Sequence, residues 1–354
     1  TREFDVTSKS FVEGGFFRPE AKGGMGWIDA DTVYVYTDFG EGTMTSSGYP
    51  RQVKQWSRGT PMEQATLVYE GQPGDMYIAA FRDNTPGFER DFVSRTLEFR
   101  SNEILLRGAD GTLTRVDAPN SANKGAWREW MSFELREPWE VGGRTYPAGA
   151  LLVTGFDDFM AGKRAFRVVF EPSDTTSLAG YTWTRDHLVL NVLDDVKNRL
   201  YVLTPAQDWK REPLAGAPAL GTVGFSAIDA ETSNDYFLTV TDYLTPTTLM
   251  TGTVGQPPEP IKSLPAFFDA EGLAVSQHFA TSADGTRVPY FMVAPKDMPV
   301  DGRNPTLLYG YGGFEISLTP GYSAGAGRAW TSQGGVYVVA NIRGGGEYGP
   351  RWHQ

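Results

Sequence analysis

The chain has no cysteine among its 354 residues. That excludes disulfide bridges and thiol chemistry, but it does not separate a reducing compartment from an oxidising one. No apolar stretch approaches the roughly 18 residues needed to cross a bilayer, and no signal peptide opens at Thr1. The chain therefore reads as soluble, in cytoplasm or periplasm, with no membrane partner. Basic charge is short as well: 32 Lys and Arg stand against 43 Asp and Glu, a net charge of -11. Neutralising phosphates needs a basic surface, so nucleic acid is not an expected partner, whereas a neutral or cationic small one is. The acidic pairs Asp157-Asp158 and Asp194-Asp195 have no histidine or carboxylate cluster beside them. They read as solvated turns, and no metal ion or cofactor is expected. Of the three histidines, His187 and His278 lie far from any carboxylate and serine constellation and read as structural.

Long helical periodicity is missing too, and short strands stand in its place. Residues 1 to about 262 hold runs such as Thr32–Thr37, Glu103–Arg107, Leu151–Thr154, Phe166–Phe170, Leu188–Val192, Arg199–Leu203 and Tyr236–Val240, bounded by Gly, Asp, Pro or Asn turns. Asp110-Gly111 between Leu106 and Leu113 marks a hairpin. Recurring antiparallel strands suit a propeller or a sandwich, and at ~40 to 50 residues per blade this segment holds roughly five or six blades. Trp127 and Trp130 flank Arg128-Glu129 and fit either blade core or a substrate-facing ridge. The proline-rich stretch Gly255-Gln256-Pro257-Pro258-Glu259-Pro260 lacks strand donors and reads as a linker, placing a boundary near 262. Beyond it, runs at 278–281 and 289–294 flank Asp284-Gly285, a hairpin that opens a second domain over 263–354.

Two glycine-rich segments of that second domain carry the chemistry. Tyr309-Gly310-Tyr311-Gly312-Gly313-Phe314 follows the apolar run Pro305–Tyr309, and Arg343-Gly344-Gly345-Gly346-Glu347-Tyr348-Gly349 follows Gly335–Asn341. Continuous apolar runs of this length are expected as strands buried on both faces of a mostly parallel sheet. Glycines straight after a strand mark a sharp exit, or a close approach of backbone to a ligand, at the carboxyl end of the sheet where sites form. In α/β-hydrolases a comparable loop supplies an oxyanion donor from an HGGG-type run, and here tyrosine stands in the histidine's place. A phenolic hydroxyl can give a hydrogen bond to a developing oxyanion. The three glycines could also cradle a phosphate, but no Gly-Lys-Ser/Thr follows.

At these residues, with Trp352-His353 just after and Thr281–Pro289 upstream, the chain resembles the prolyl oligopeptidase family of serine peptidases. The resemblance extends more loosely through Asp194–Leu200 and more weakly to Arg2–Val6. It implies a mainly β chain: a β-propeller over 1–262, partial because the family's usually has seven blades, followed by the first strands of an α/β-hydrolase domain over 263–354. It implies a serine endopeptidase cleaving short peptides on the carboxyl side of proline through an acyl-enzyme, monomeric when whole. By position in the motif Tyr311 matches the oxyanion tyrosine, and Phe314 matches a residue lining the pocket for the proline ring. Asn341, Arg343 and Glu347 are expected to support the loop rather than touch substrate, with Arg343 and Glu347 pairing across it. The family's serine, aspartate and histidine fall beyond Gln354 and no Gly-x-Ser-x-Gly elbow is read anywhere in these residues, so the chain reads as a piece of a larger enzyme without a nucleophile, and His353 is too close to the second loop to be the late histidine. Two other readings stay open: a related oligopeptidase specific for basic or acylated residues, and a non-catalytic propeller module.

Overall fold

A computed structural model describes residues 1–217 and 221–354. Six four-stranded sheets follow one another along the chain among the described residues, the first five of them before residue 264. The first joins Gly24–Asp29, Thr32–Tyr36, Gln52–Ser57 and Thr66–Glu70, and the second Tyr77–Asp83, Arg90–Glu98, Ser101–Arg107 and Leu113–Arg115. The third joins Asn123–Trp127, Trp130–Glu134, Leu151–Gly155 and Arg167–Phe170. The fourth joins Thr176–Trp183, Leu188–Asp194, Lys197–Thr204 and Lys210–Pro213, and the fifth Thr222–Ala227, Asp235–Thr241, Thr248–Thr253 and Glu259–Ser263. Neighbours in the first, second, fourth and fifth sheets all run antiparallel. Successive sheets begin about 50 residues apart, the period and strand number of propeller blades. No helix among the described residues is long and apolar enough to cross a membrane.

By contacts the chain divides into two compact units, Thr1–Leu135 with Val153–Arg167, and Arg136–Leu152 with Val168–Gln354. In the first, alternation along the strands sends Tyr34, Val53, Ile78, Ala80 and Val93 into one core cluster. Trp127 and Trp130 face each other across a tight hairpin, and Trp127 lines a cavity of about 200 Å³ with Phe81, Phe92, Ile104 and Met131. In the second unit, Leu188, Val189, Leu190, Val192 and Leu193 are all buried, so this strand is covered on both faces. The one polar residue inside that run, Asn191, gives its Nδ2 hydrogen to the Val223 carbonyl at 2.9 Å and accepts from Asn198 Nδ2 at 2.6 Å. Asn198 in turn accepts the Val223 N–H at 3.3 Å, which leaves this polar seam between two apolar sheets satisfied.

Two readings from the sequence change here. Pro260 lies in a strand, not a linker. Glu259–Ser263 is the edge of the fifth sheet, where a missing N–H is tolerated, and its ladder slips register as Met250 meets Pro260. Nor is Asp194-Asp195 a solvated turn. The hairpin from Asp194 to Lys197 turns through two residues at positive φ, Asp195 at 43° and Val196 at 68°. A β-branched residue is strained there, at about 1–3 kcal/mol. What holds it is burial: Val196 is fully enclosed by Tyr243, Phe291, Val293 and Val339. Asp195 accepts the Tyr348 hydroxyl at 2.7 Å, and its carbonyl accepts from Gln277 Nε2 at 2.7 Å.

The last sheet runs in the spatial order Leu273–Thr281, Arg287–Pro295, Val336–Ala340, Thr306–Gly310. Its opening hairpin turns at Asp284-Gly285, as the sequence indicates. Only the pairing of Thr306–Gly310 with Val336–Ala340 is parallel, so the sheet is mixed rather than mostly parallel. Within this segment Thr306–Gly310 pairs with one described strand and is exposed along its length. Its apolar run marks the strand correctly. Placing a carboxylate in the cluster around Val196 tests the hairpin's docking: Val196→Asp is expected to destabilise the protein by about 3 kcal/mol or more, read as a lower urea midpoint.

Candidate functional site

The parallel register aligns Gly310 with Ala340, so both glycine loops leave the sheet side by side from the carboxyl ends of neighbouring strands, the place where sites form in such sheets. Their backbones then touch. Gly344 sits at φ 98°, and a Cβ there would stand 2.0 Å from the Gly312 carbonyl oxygen. A Cβ on Gly346 would stand 2.3 Å from the carbonyl oxygen of Glu315. The space these glycines open is filled by the chain itself, which removes the phosphate-cradle reading. Further bonds hold the second loop. The Gly344 N–H reaches the Trp352 carbonyl at 2.7 Å, and the Gly344 carbonyl accepts from the Glu315 N–H at 3.1 Å and from His353 Nδ1 at 2.8 Å. Since a carbonyl only accepts, that histidine nitrogen carries the proton.

Asn341 and Glu347 sit together, almost completely buried. Glu347 Oε1 accepts the Leu318 N–H at 2.9 Å and an Asn341 Nδ2 hydrogen at 3.1 Å, while Asn341 Nδ2 also donates to the Leu318 carbonyl at 2.7 Å. Ser177 Oγ donates to the Glu347 carbonyl at 2.8 Å. These groups fasten the far end of the second loop to the segment that follows Phe314. Arg343, however, does not pair with Glu347. Its guanidinium pairs with Asp284, reaching Ser282 Oγ at 3.1 Å and Thr286 Oγ1 at 3.4 Å. That guanidinium, with backbone help from Thr286, holds the Asp284 carboxyl well below the usual carboxylate range. Arg343 stays half exposed, whereas joining Glu347 would require stripping water from a guanidinium at a buried site where Glu347 Oε1 already takes two donors.

Tyr311 is the first residue past its strand, 45 % exposed, and its hydroxyl makes no hydrogen bond to a described residue. Phe314 is 61 % exposed. It and Glu315 form the centre of a four-residue turn closed by the Ile316 N–H on the Gly313 carbonyl at 3.1 Å. Both central residues have positive φ, 53° and 57°, the pattern of a type I′ turn, in which glycine and asparagine are usual and a bulky aromatic is an outlier. His187 is half buried against Thr204 Oγ1 at 2.9 Å, with burial pushing its pKa down, and His278 meets Ser276 Oγ at 2.8 Å on the exposed face of a strand. Neither approaches the glycine loops by any hydrogen bond.

One spelling was passed over in the sequence. Gly321-Tyr322-Ser323-Ala324-Gly325 fits Gly-x-Ser-x-Gly. An elbow needs a strand, a sharp strained turn and then a helix. Here loop precedes Ser323, its backbone is extended at φ -112°, and its Oγ caps the short helix Ala324–Ala329 by accepting the Ala326 N–H at 3.2 Å. It is a helix cap.

No protein-family model matches the chain. Among curated proteins it is 37 % identical over 367 residues to an uncharacterized peptidase, y4nA, of Sinorhizobium fredii, a match covering 99 % of this chain and 50 % of the relative. It is 42 % identical over 124 residues to the prolyl endopeptidase of Elizabethkingia meningoseptica, covering 35 % of this chain and 17 % of that one. Among solved structures, a post-proline cleaving enzyme from Rickettsia typhi superposes with a TM-score of 0.89 at 28 % identity, over 99 % of this chain and 53 % of that one. The chain belongs to the prolyl oligopeptidase family. It spans about half the length of the curated relatives that it matches from end to end.

Within this member of the prolyl oligopeptidase family, both glycine loops are visible in the sequence, but the distant residues they contact are not. Ser177, Asp284 and Arg136, which pairs with Glu315, lie far from the loops along the chain and carry no local signal. The glycine contact is directly testable: Gly344→Ala is expected to destabilise by of order 3 kcal/mol. Gly325→Ala, in the short helix with nothing within 4 Å of the new methyl, should be neutral or slightly stabilising. Thermal unfolding of the two variants against the parent protein reads the difference.

Proposed function

We propose that this chain works within a longer serine endopeptidase that cleaves short peptides on the carboxyl side of proline through an acyl-enzyme. In this reading residues 1–262 form the propeller segment and 263–354 begin the peptidase domain. The observation that carries it is the pair of interlocked glycine loops at the carboxyl ends of Thr306–Gly310 and Val336–Ala340, presenting a tyrosine hydroxyl to which no described residue is hydrogen-bonded. The names of the Elizabethkingia prolyl endopeptidase and the Rickettsia typhi post-proline cleaving enzyme support the proline preference.

The roles follow from the chemistry. A serine supplied outside this segment attacks the scissile carbonyl, its proton passing to a base that is likewise outside. Negative charge then gathers on the carbonyl oxygen, and Tyr311 donates its hydroxyl hydrogen to that oxygen more strongly in the tetrahedral state than in the ground state. Phe314, projecting from the next turn, offers a ring face to the proline at the cleaved bond. Asn341 and Glu347 keep the second loop in place, and Arg343 ties it to the Ser282–Thr286 turn. Removing one oxyanion donor usually lowers turnover by about 10²–10³-fold. Tyr311→Phe in the full-length enzyme is accordingly expected to lower kcat by about 10²-fold with little change in KM for a proline peptide. An unchanged kcat/KM would defeat the oxyanion role.

A further inference from the structure

The turn that carries Phe314 is strained in a way its own residues do not relieve. Phe314 and Glu315 are consecutive non-glycine residues at positive φ, each held in a region that costs about 1–3 kcal/mol unless its surroundings fix it. The closing bond from Ile316 to Gly313 is a local one, available to many turn types. What sets this turn apart is Glu315. Its N–H binds the Gly344 carbonyl, its carbonyl lies against Gly346, and its carboxylate meets the Arg136 guanidinium, both side chains being largely shielded from water at 14 % and 12 % exposure. Arg136 comes from a segment nearly 180 residues upstream, and its own carbonyl accepts from Gln354 Nε2 at 3.5 Å.

We propose that the Arg136–Glu315 ion pair is a positioning device for specificity: it holds the strained turn so that Phe314 presents its ring to the substrate side chain at the cleaved bond. This rests on the reading of Phe314 as a proline-contacting residue. The physical case is directional. Glu315 follows Phe314 immediately, so anchoring its side chain and both its backbone groups fixes the peptide plane that orients the Phe314 side chain. A shielded pair resists screening by salt and, once one partner is lost, leaves the other charge uncompensated. Released, the turn relaxes toward ordinary negative φ and carries the ring away. Arg136 touches no substrate in this scheme and acts only through Glu315.

The test uses the full-length enzyme and two blocked fluorogenic substrates, one ending in Gly-Pro and the other in Gly-Ala. Arg136→Met and Glu315→Gln are each expected to raise KM for the Gly-Pro substrate about tenfold while changing kcat less than about threefold, and to leave the Gly-Ala substrate nearly unaffected. The double variant should be no worse than either single one, because both remove the same contact. Arg136→Lys, which keeps the charge, should recover most of the loss, and it also serves if Arg136→Met fails to fold. Phe314→Ala, run alongside, separates the two ideas. If it raises KM for Gly-Pro while the Arg136 and Glu315 variants do not, the positioning role is wrong and the pocket reading stands. If Phe314→Ala leaves the Gly-Pro preference intact, the pocket reading falls and this proposal with it. Equal losses on both substrates in the Arg136 variants would mean a merely structural pair and would overturn it too.

Discussion

The backbone contact between Gly344 and Gly312 is the constraint on which the candidate site depends. Two peptide chains leaving adjacent parallel strands diverge unless something brings them together, and side chains keep backbones too far apart for a Cα to rest on a carbonyl oxygen. Glycine on both sides removes that barrier. Once the loops interlock, the Gly344 carbonyl can collect the Glu315 N–H and His353 Nδ1, and the Gly344 N–H can reach Trp352. Each of these bonds needs the others already in register. The positions of Tyr311 and Phe314 then follow from a backbone defined on both sides, not from packing of their own exposed side chains.

Strain and burial balance in the same manner at two places. Val196 and the Phe314-Glu315 pair both occupy left-handed backbone that disfavours them. Val196 is kept there by complete enclosure among aromatic and aliphatic neighbours, an apolar solution at a hairpin tip. The Phe314 turn is largely exposed, and it is held at Glu315 by an ion pair and a backbone hydrogen bond. Charge is sorted by the same logic. Glu347 is buried with backbone and amide donors on its Oε1, whereas Arg343 and Asp284 meet where water still reaches them.

What the sequence made legible is what depends on neighbours along the chain. Strands at Leu188–Asp194 and Val336–Ala340, the hairpin at Asp284-Gly285, and two glycine loops directly after strands all follow from local pattern and turn chemistry. Failures lie where the deciding partner is distant. Arg343 and Glu347 are four residues apart and opposite in charge, yet Arg343 pairs with Asp284, 59 positions away, once Glu347 is buried. Pro260 reads as a breaker, but an edge strand has a side on which no N–H is required. Gly321–Gly325 spells an elbow, and only the extended φ of Ser323 and the loop before it show a helix cap.

Oxyanion stabilisation asks for two properties that ordinarily conflict: a donor fixed before charge appears, and a donor not already spent on the protein. A buried tyrosine has the first and lacks the second, because its hydroxyl finds a partner, as Tyr348 does in Asp195. An exposed tyrosine on an ordinary loop has the second and lacks the first. On the proposed reading, Tyr311 divides these demands between backbone and side chain. Its Cα is bounded by a strand ending at Gly310 and by the interlocked Gly312, while its hydroxyl stays uncommitted. The close approach therefore resides in residues without side chains, which is why glycine-rich sequence, usually a sign of pliancy, here marks backbone with no room for a side chain.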